Sequence, residues 1–308
     1  MNDKQHVSLF QRPVWVALFA LTAAVAWGWA YPLIKLGFCE FGITPEMTGS
    51  KMLFAGVRFS LSGLIILAMA AKAGRDFRVS RPAAWAYVLL FALMNTTLHY
   101  ACFYIGLSHA PGARSAILNS LSVFLVVILA CIFFRTDKLS MKKLAGCAVG
   151  FAGILALNLG SNASHAEGHG FTLMGDGMIV LNALCGATAS LLTRGLGQRV
   201  DVFVGTGYSL TIGGILLVGP GMMMGGILPH ITPLGTIYLL LLIGISTVGF
   251  GLYNKLLTCN PVGRVAIYNS LIPVVGALCS CLCLSEPFYW KYVLAGTLAA
   301  AGIFLINK

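Results

Sequence analysis

The chemistry available to this sequence sits in a few polar side chains embedded in long apolar runs. Asn119 and Asn269 each stand eight residues beyond a proline, Pro111 and Pro261. At 1.5 Å per residue each amide lies about 12 Å along a helix begun at that proline. Ser115, Asn119 and Ser122 fall at i, i+4 and i+7, one polar stripe on a helix. Amides at that depth either line a solute path or hydrogen-bond neighbouring helices. Asn95, His99 and Phe103 share a face at four-residue spacing, with Tyr100 and Tyr104 beside them. Imidazole titrates near neutral pH, so His99 is a candidate for solute binding or proton coupling, or else a neutral structural donor.

Trp27, Tyr31 and Lys35 stack at i, i+4 and i+8. Pro32 removes the hydrogen bond that the Gly28 carbonyl would accept, so Gly28 and Pro32 mark a kink, hinge or gate. Lys35 lies near the end of its run and either meets solute or snorkels. Arg58 stands about 10 Å beyond Lys51, too deep to snorkel easily, and calls for a carbonyl or a solute carboxylate. Ser246, Thr247, Tyr253 and Asn254, then Tyr268, add hydroxyl, amide and aromatic surface, while Tyr208 fits an interface anchor equally well.

What is missing narrows the chemistry. None of the nine acidic residues falls in the middle of an apolar run. A site with His, Lys, Arg and amides but no carboxylate suits neutral, zwitterionic or anionic solutes, although Trp and Tyr faces can also hold a cation. Enzymatic constellations are absent: there is no His-Glu-x-x-His, no Gly-x-Ser-x-Gly and no paired intramembrane Asp. Cys279, Cys281 and Cys283 put two thiols on one helix face, short of the four ligands of a structural zinc site. Neither metal nor cofactor is expected. Eight of the nine cysteines lie in or beside apolar spans, and Cys39 is assigned to a loop. His165, Glu167 and His169 read as a solvated loop, in which Asn162-Ala-Ser164 fits a glycosylation acceptor.

The elements that must position these groups follow from composition. Of 308 residues 58% are hydrophobic and 9% charged, against about 25% charged in soluble domains. The apolar residues form ten runs of the length a helix needs to cross a bilayer. The spans are Trp15–Leu36, Met52–Ala71, Ala83–Leu107, Ala113–Phe134, Met141–Leu159, Met174–Leu196, Val202–Met224, Leu234–Leu257, Val262–Leu284 and Tyr289–Ile306. The first is too long for a signal-peptide core and has no small-residue cleavage site after it, so it is expected to remain. The fold class is therefore all-α integral membrane, in the cytoplasmic or inner membrane of the cell. The loops are too short to present a scaffold interface.

The net charge of +11 reports orientation, not nucleic acid. With both termini cytoplasmic, fifteen Lys and Arg lie inside, including the groups Lys72–Arg81 and Arg135–Lys143, against Lys51, Arg114 and Lys291 outside.

A shift of 150 residues lays Pro111–Leu121 over Pro261–Leu271 with seven of eleven positions identical, including Pro, Arg, Asn and Ser. The chain is thus a duplication. Each copy holds five helices, an odd number, so the copies are inverted, an arrangement that supports alternating access around one site. The expected boundaries are an N-terminal cytoplasmic segment 1–14, a first repeat 15–159, an outer linker 160–173 and a second repeat 174–308.

Four motifs then resemble the EamA family of the drug/metabolite transporter superfamily over nearly the whole chain. They are Trp27-Gly28 with Lys35, Val57-Arg58-Phe59, Ile272-Pro273-Val274 and Leu284-Ser285-Glu286. Departures are Ser122-Val123 where a proline like Pro273 is usual, Asp137 near the place of a glutamate, and Cys185-Gly186 in place of Trp-Gly. The resemblance implies a non-enzymatic transporter that moves amino acids or other small metabolites through a central cavity, with export favoured. Cationic-drug and nucleotide-conjugate carriage stay open. Its partners would be a small solute and the bilayer, as monomer or homodimer, with Gly146-x-x-x-Gly150 able to pack helices closely in either case.

Overall fold

The computed structural model describes residues 9–79, 81–133, 141–156, 171–260, 265 and 267–307. The N-terminal tip, most of the 160–173 linker, Asp137, His165 to His169 and Pro261 to Arg264 lie outside the described residues.

Every regular element among the described residues is helical. We number the membrane helices α1 to α10. In the first repeat α1 is Pro13–Phe41, α2 Thr48–Lys72 and α3 Pro82–His109; α4 is Gly112–Asn119 continued by Leu121–Phe133, and α5 is Met141–Ala156. In the second, α6 is a wide turn Leu173–Gly177 continued by Met178–Leu196, α7 is Val202–Met223, α8 Pro233–Cys259, α9 Leu271–Cys283 and α10 Trp290–Asn307. Among the described residues six of these (α1, α2, α3, α6, α7, α8) are long and apolar enough to cross a bilayer unaided, and α4 and α9 are shorter apolar helices.

Local chemistry sets the ends. Pro82 and Pro233 open α3 and α8 at first-turn positions that need no donor. Asp201 caps α7 by accepting from the Phe203 and Val204 amides. Gly42 closes α1 at φ 68°, a left-handed conformation that favours glycine. α1 runs five residues further than the apolar run suggested, so Cys39 lies in its last turn and not in a loop. α1 continues through Pro32 without a break. The wide turn Leu93–Thr97 inside α3 and the break at Ser120 in α4 are local departures that periodicity does not show.

The packing maps onto itself when the two repeats are exchanged. α1 lies against α8 and α9, as α6 lies against α3 and α4; α2 faces α7, α4 faces α9, and α5 faces α10. This is an approximate two-fold relation, and five helices per copy make it an inverted one. Glycine lets the self-paired helices touch. In α2 and α7 Gly49 meets Gly221, Gly56 meets Gly214 and Gly63 meets Gly207, seven residues apart along each helix. A Cβ on Gly56 would lie 2.7 Å from the Gly214 carbonyl oxygen, and one on Gly214 2.8 Å from that of Gly56. Gly146 and Gly150 of α5 similarly pack on Gly302 of α10, so this motif is used within the chain.

Candidate functional site

At the junction of the repeats lies a cavity of about 160 Å³, with room for roughly ten waters. Of its described lining residues ten come from the first repeat and nine from the second. α1 supplies Trp27, Ala30 and Tyr31; α2 supplies Arg58; α3 supplies Asn95, His99, Tyr100 and Phe103; and α4 supplies Asn119 and Ser122. Across the junction stand Gly186, Ser190 and Thr193 on α6, Phe250, Tyr253, Asn254 and Leu257 on α8, then Asn269 in the 3-10 turn Ile267–Ser270 and Ile272 at the start of α9. Thr193 and Leu257 lie near the ends of α6 and α8, on the side of the bundle where α1 begins and α10 ends. The cavity therefore extends from mid-bundle toward that side.

The opposite side is closed by charge pairs that cross between repeats. Glu286, after α9, accepts Lys35 Nζ of α1 at 3.1 Å and also the Gly112 and Ala113 amides of α4 at 2.8 and 3.1 Å. A carboxylate at a helix N-terminus satisfies free amides and meets the positive end of the helix dipole. One residue on, Arg114 forms a two-pronged pair with Asp176 of α6. Lys51 is fully buried there and donates to the Pro45 carbonyl and the Ser108 hydroxyl. Of the three basic residues assigned outside, two are thus committed to internal contacts.

Ten of the twelve residues singled out in the sequence surround this cavity: Trp27, Tyr31, Arg58, Asn95, His99, Phe103, Asn119, Tyr253, Asn254 and Asn269. Lys35 and Tyr268 do not. Lys35 neither snorkels nor lines the cavity, because Glu286, 251 residues away in the chain, captures its ammonium. Tyr268 packs against the apolar group of Val16, Ala20, Leu256 and Val265. Ser115, in the expected stripe, is buried but outside the lining. Tyr208 rests on Phe77 and Trp85 and is an end anchor. Gly28 faces α9, where an added Cβ would lie 2.6 Å from Val275, so close approach is what demands glycine there.

The two repeat-related asparagines are held differently. Asn119 donates to the Tyr31 hydroxyl at 2.9 Å and accepts from Asn182 at 2.7 Å. Asn269 donates to the Tyr253 hydroxyl at 2.6 Å. Under the 150-residue shift Tyr253 corresponds to Phe103, which has no hydroxyl, and Phe103 instead meets the Tyr31 ring edge-on at 5.3 Å. A tyrosine on α1 thus replaces the hydroxyl that α3 lacks.

Arg58 is the charged group of the cavity, 1% exposed. Its Nε donates to the Leu242 carbonyl and the Ser246 hydroxyl at 3.2 and 2.9 Å, and Nη1 to the Tyr104 hydroxyl at 2.9 Å. Among the described residues no carboxylate lies within salt-bridge distance of it, and Nη2 makes no hydrogen bond. Buried atoms left without a partner include His99 Nδ1, Trp27 Nε1 and Asn269 Oδ1, all on lining residues. Native interiors rarely tolerate such atoms unless something else satisfies them.

Phe250, Ser190, Thr193 and Asn182 were not named from the sequence, and Gly186 and Ile272 entered there only within motifs, not as site residues. Asn182 carried a readable signal, an amide inside an apolar run. The small residues of α6 did not, since their contribution is the space they leave.

Residues 14–159 and 173–308 each match the EamA-like transporter family. An uncharacterized transporter of Bacillus subtilis, YvbV, is 25% identical over 297 residues, covering 94% of this chain and 91% of its own. A probable amino-acid metabolite efflux pump of Escherichia coli is 24% identical over 302 residues, covering 94% and 93%. One solved crystal structure shares the fold at a TM-score of 0.69 and 18% identity, over 94% of this chain and 97% of that one. With the family match spanning both repeats, this multi-pass membrane protein belongs to the EamA-like transporter family.

Proposed function

We propose that the chain is a secondary carrier of small polar metabolites, amino acids and related compounds first, working by alternating access with export as the favoured direction. The observation that carries this reading is a cavity built in nearly equal parts from two inverted repeats, holding a buried guanidinium and, among the described residues, no carboxylate. An uncompensated buried charge is costly, and a solute anion would relieve it. The cation-exporter alternative lacks the intramembrane counter-ion it would use. The name of the Escherichia coli relative is in keeping with amino-acid export.

In the orientation given by the Lys/Arg bias, with both termini cytoplasmic in the inner membrane, the described conformation is closed outward and reachable from the cytoplasm. Exchanging the conformations of the two repeats would open the other side.

A second reading, carriage of purely anionic metabolites, is favoured by the same unpaired Arg58. The deciding measurement is flux into proteoliposomes of radiolabelled amino acids, organic anions and organic cations, with and without a pH gradient. Amino acids should move faster than in protein-free vesicles and organic cations should not. Cation flux with no amino-acid flux would sink the proposal, and anion flux alone would select the second reading.

A further inference from the structure

Of the described lining atoms that lack a partner, Arg58 Nη2, His99 Nδ1, Trp27 Nε1 and Asn269 Oδ1, one is a charged donor and one a carbonyl acceptor. On α2 the free donor is Arg58 Nη2, since Nε and Nη1 are spent on α8 and on Tyr104. In the short 3-10 turn Ile267–Ser270 that precedes α9 the free acceptor is Asn269 Oδ1, buried and unpaired, while its Nδ2 is spent on Tyr253. An aromatic corner lies beside the acceptor, whose Nδ2 bonds Tyr253. Trp27 lies 5.1 Å from Tyr253 and 5.4 Å from Phe250 between ring centroids, a corner whose faces attract ammonium groups.

We infer that this cavity recognises a zwitterion by both ends, the carboxylate at Arg58 Nη2 and the ammonium at Asn269 Oδ1 and the Trp27 and Tyr253 rings. This inference rests on the reading of the cavity as a solute site and assigns the polarity of the solute within it. An amine without a carboxylate would enter beside an uncompensated guanidinium and be repelled by it. An acid without an amino group would neutralise Arg58 but leave the Asn269 oxygen without a donor. Leaving a buried partner unsatisfied is how polar sites reject near-isosteres, so a free amino acid is preferred over both truncated analogues.

The test is calorimetric binding to the purified full chain in detergent. Leucine, phenylalanine and glutamine are each compared with the matching decarboxylated amine and deaminated acid. Each amino acid that binds should do so at least about tenfold more tightly than either truncated analogue, the equivalent of one hydrogen bond to a charged group. Arg58→Gln should abolish that preference over the amine, but Arg58 also ties α2 to α3 and α8, and this variant is exposed to misfolding.

Asn269→Asp therefore serves as the second variant. It reverses the bond to Tyr253, whose hydroxyl can donate to the carboxylate, adds a negative charge at the proposed ammonium pole, and should tighten amine binding about tenfold while weakening the deaminated acids. If the deaminated acids bind wild-type protein as tightly as their parents, or Asn269→Asp leaves the amines unchanged, the two-pole assignment is overturned while the solute site stands. If none of the nine compounds binds, the amino-acid reading itself falls, and the pole assignment with it.

Discussion

Arg114 and Asp176 face each other two-pronged across the boundary between repeats, with Nε 2.7 Å from one carboxylate oxygen and Nη2 3.0 Å from the other. Both side chains are almost fully buried, and the pair joins the first turn of α4 to the first turn of α6. Glu286 grips the same turn of α4 through Gly112 and Ala113. Two acids of the second repeat thus hold one helix end of the first.

Removing one member of a buried pair leaves the other charge poorly compensated, a loss of about 3–5 kcal/mol in soluble proteins. Asp176→Asn should therefore lower thermal stability in detergent markedly. Arg114→Lys, which keeps the charge and loses the fork, should cost less. Fluorescence-monitored unfolding measures both. Equal stability of Asp176→Asn and wild type would show that the clamp contributes nothing.

Glu286 is half of a surface-reachable pair with Lys35, whose side chain is 24% exposed, and such pairs are worth about 1 kcal/mol or less. Its two amide contacts make its removal matter more for the closed state than for folding. Glu286→Gln should increase, several-fold, labelling of a cysteine at Ser122 by an impermeant maleimide added on the side opposite the termini. Unchanged labelling together with unchanged flux would remove Glu286 from gating.

The α2 and α7 contact predicts sharp positional sensitivity. Gly56→Leu drives a side chain into the Gly214 backbone, which cannot swing aside, and should cost about 3 kcal/mol or more in thermal unfolding. Gly219 and Gly244 have nothing within 4 Å of an added Cβ. Gly219→Ala and Gly244→Ala should be neutral or stabilise by up to about 1 kcal/mol through helix propensity. Matched loss at all three positions would mean that propensity, and not close approach, governs the seam.

Among the described lining residues His99 offers the one imidazole, with Nδ1 buried, unpaired and set against Gly186. If it carries the coupling proton, His99→Asn should abolish the stimulation of flux by a pH gradient while exchange without a gradient continues. A gradient response that survives the substitution would assign the proton to another group.

Arg58, Asn119 and Asn269 were legible without coordinates because apolar runs make polarity conspicuous and the bilayer penalises it. The same rule misassigned Lys35, whose polarity is answered by Glu286 from the other repeat. It also passed over the glycine seam, since a residue without a side chain gives no polar signal even at regular seven-residue spacing. Tyr268 shows the limit for aromatics: its type suits a cavity or a core equally, and only its neighbours Val16 and Leu256 decide.

The sequence by itself determined the ten helices, their duplication and the inversion, because span length, matched motifs and an odd helix count per copy are properties of the linear chain. Only the tertiary structure decided which face of each helix meets the other repeat. That choice brought Arg58 to the cavity without a carboxylate and sent Lys35, Arg114 and Lys51 to close the opposite end. The pairings depend on contacts between residues up to 251 positions apart, a distance over which no local spacing carries information.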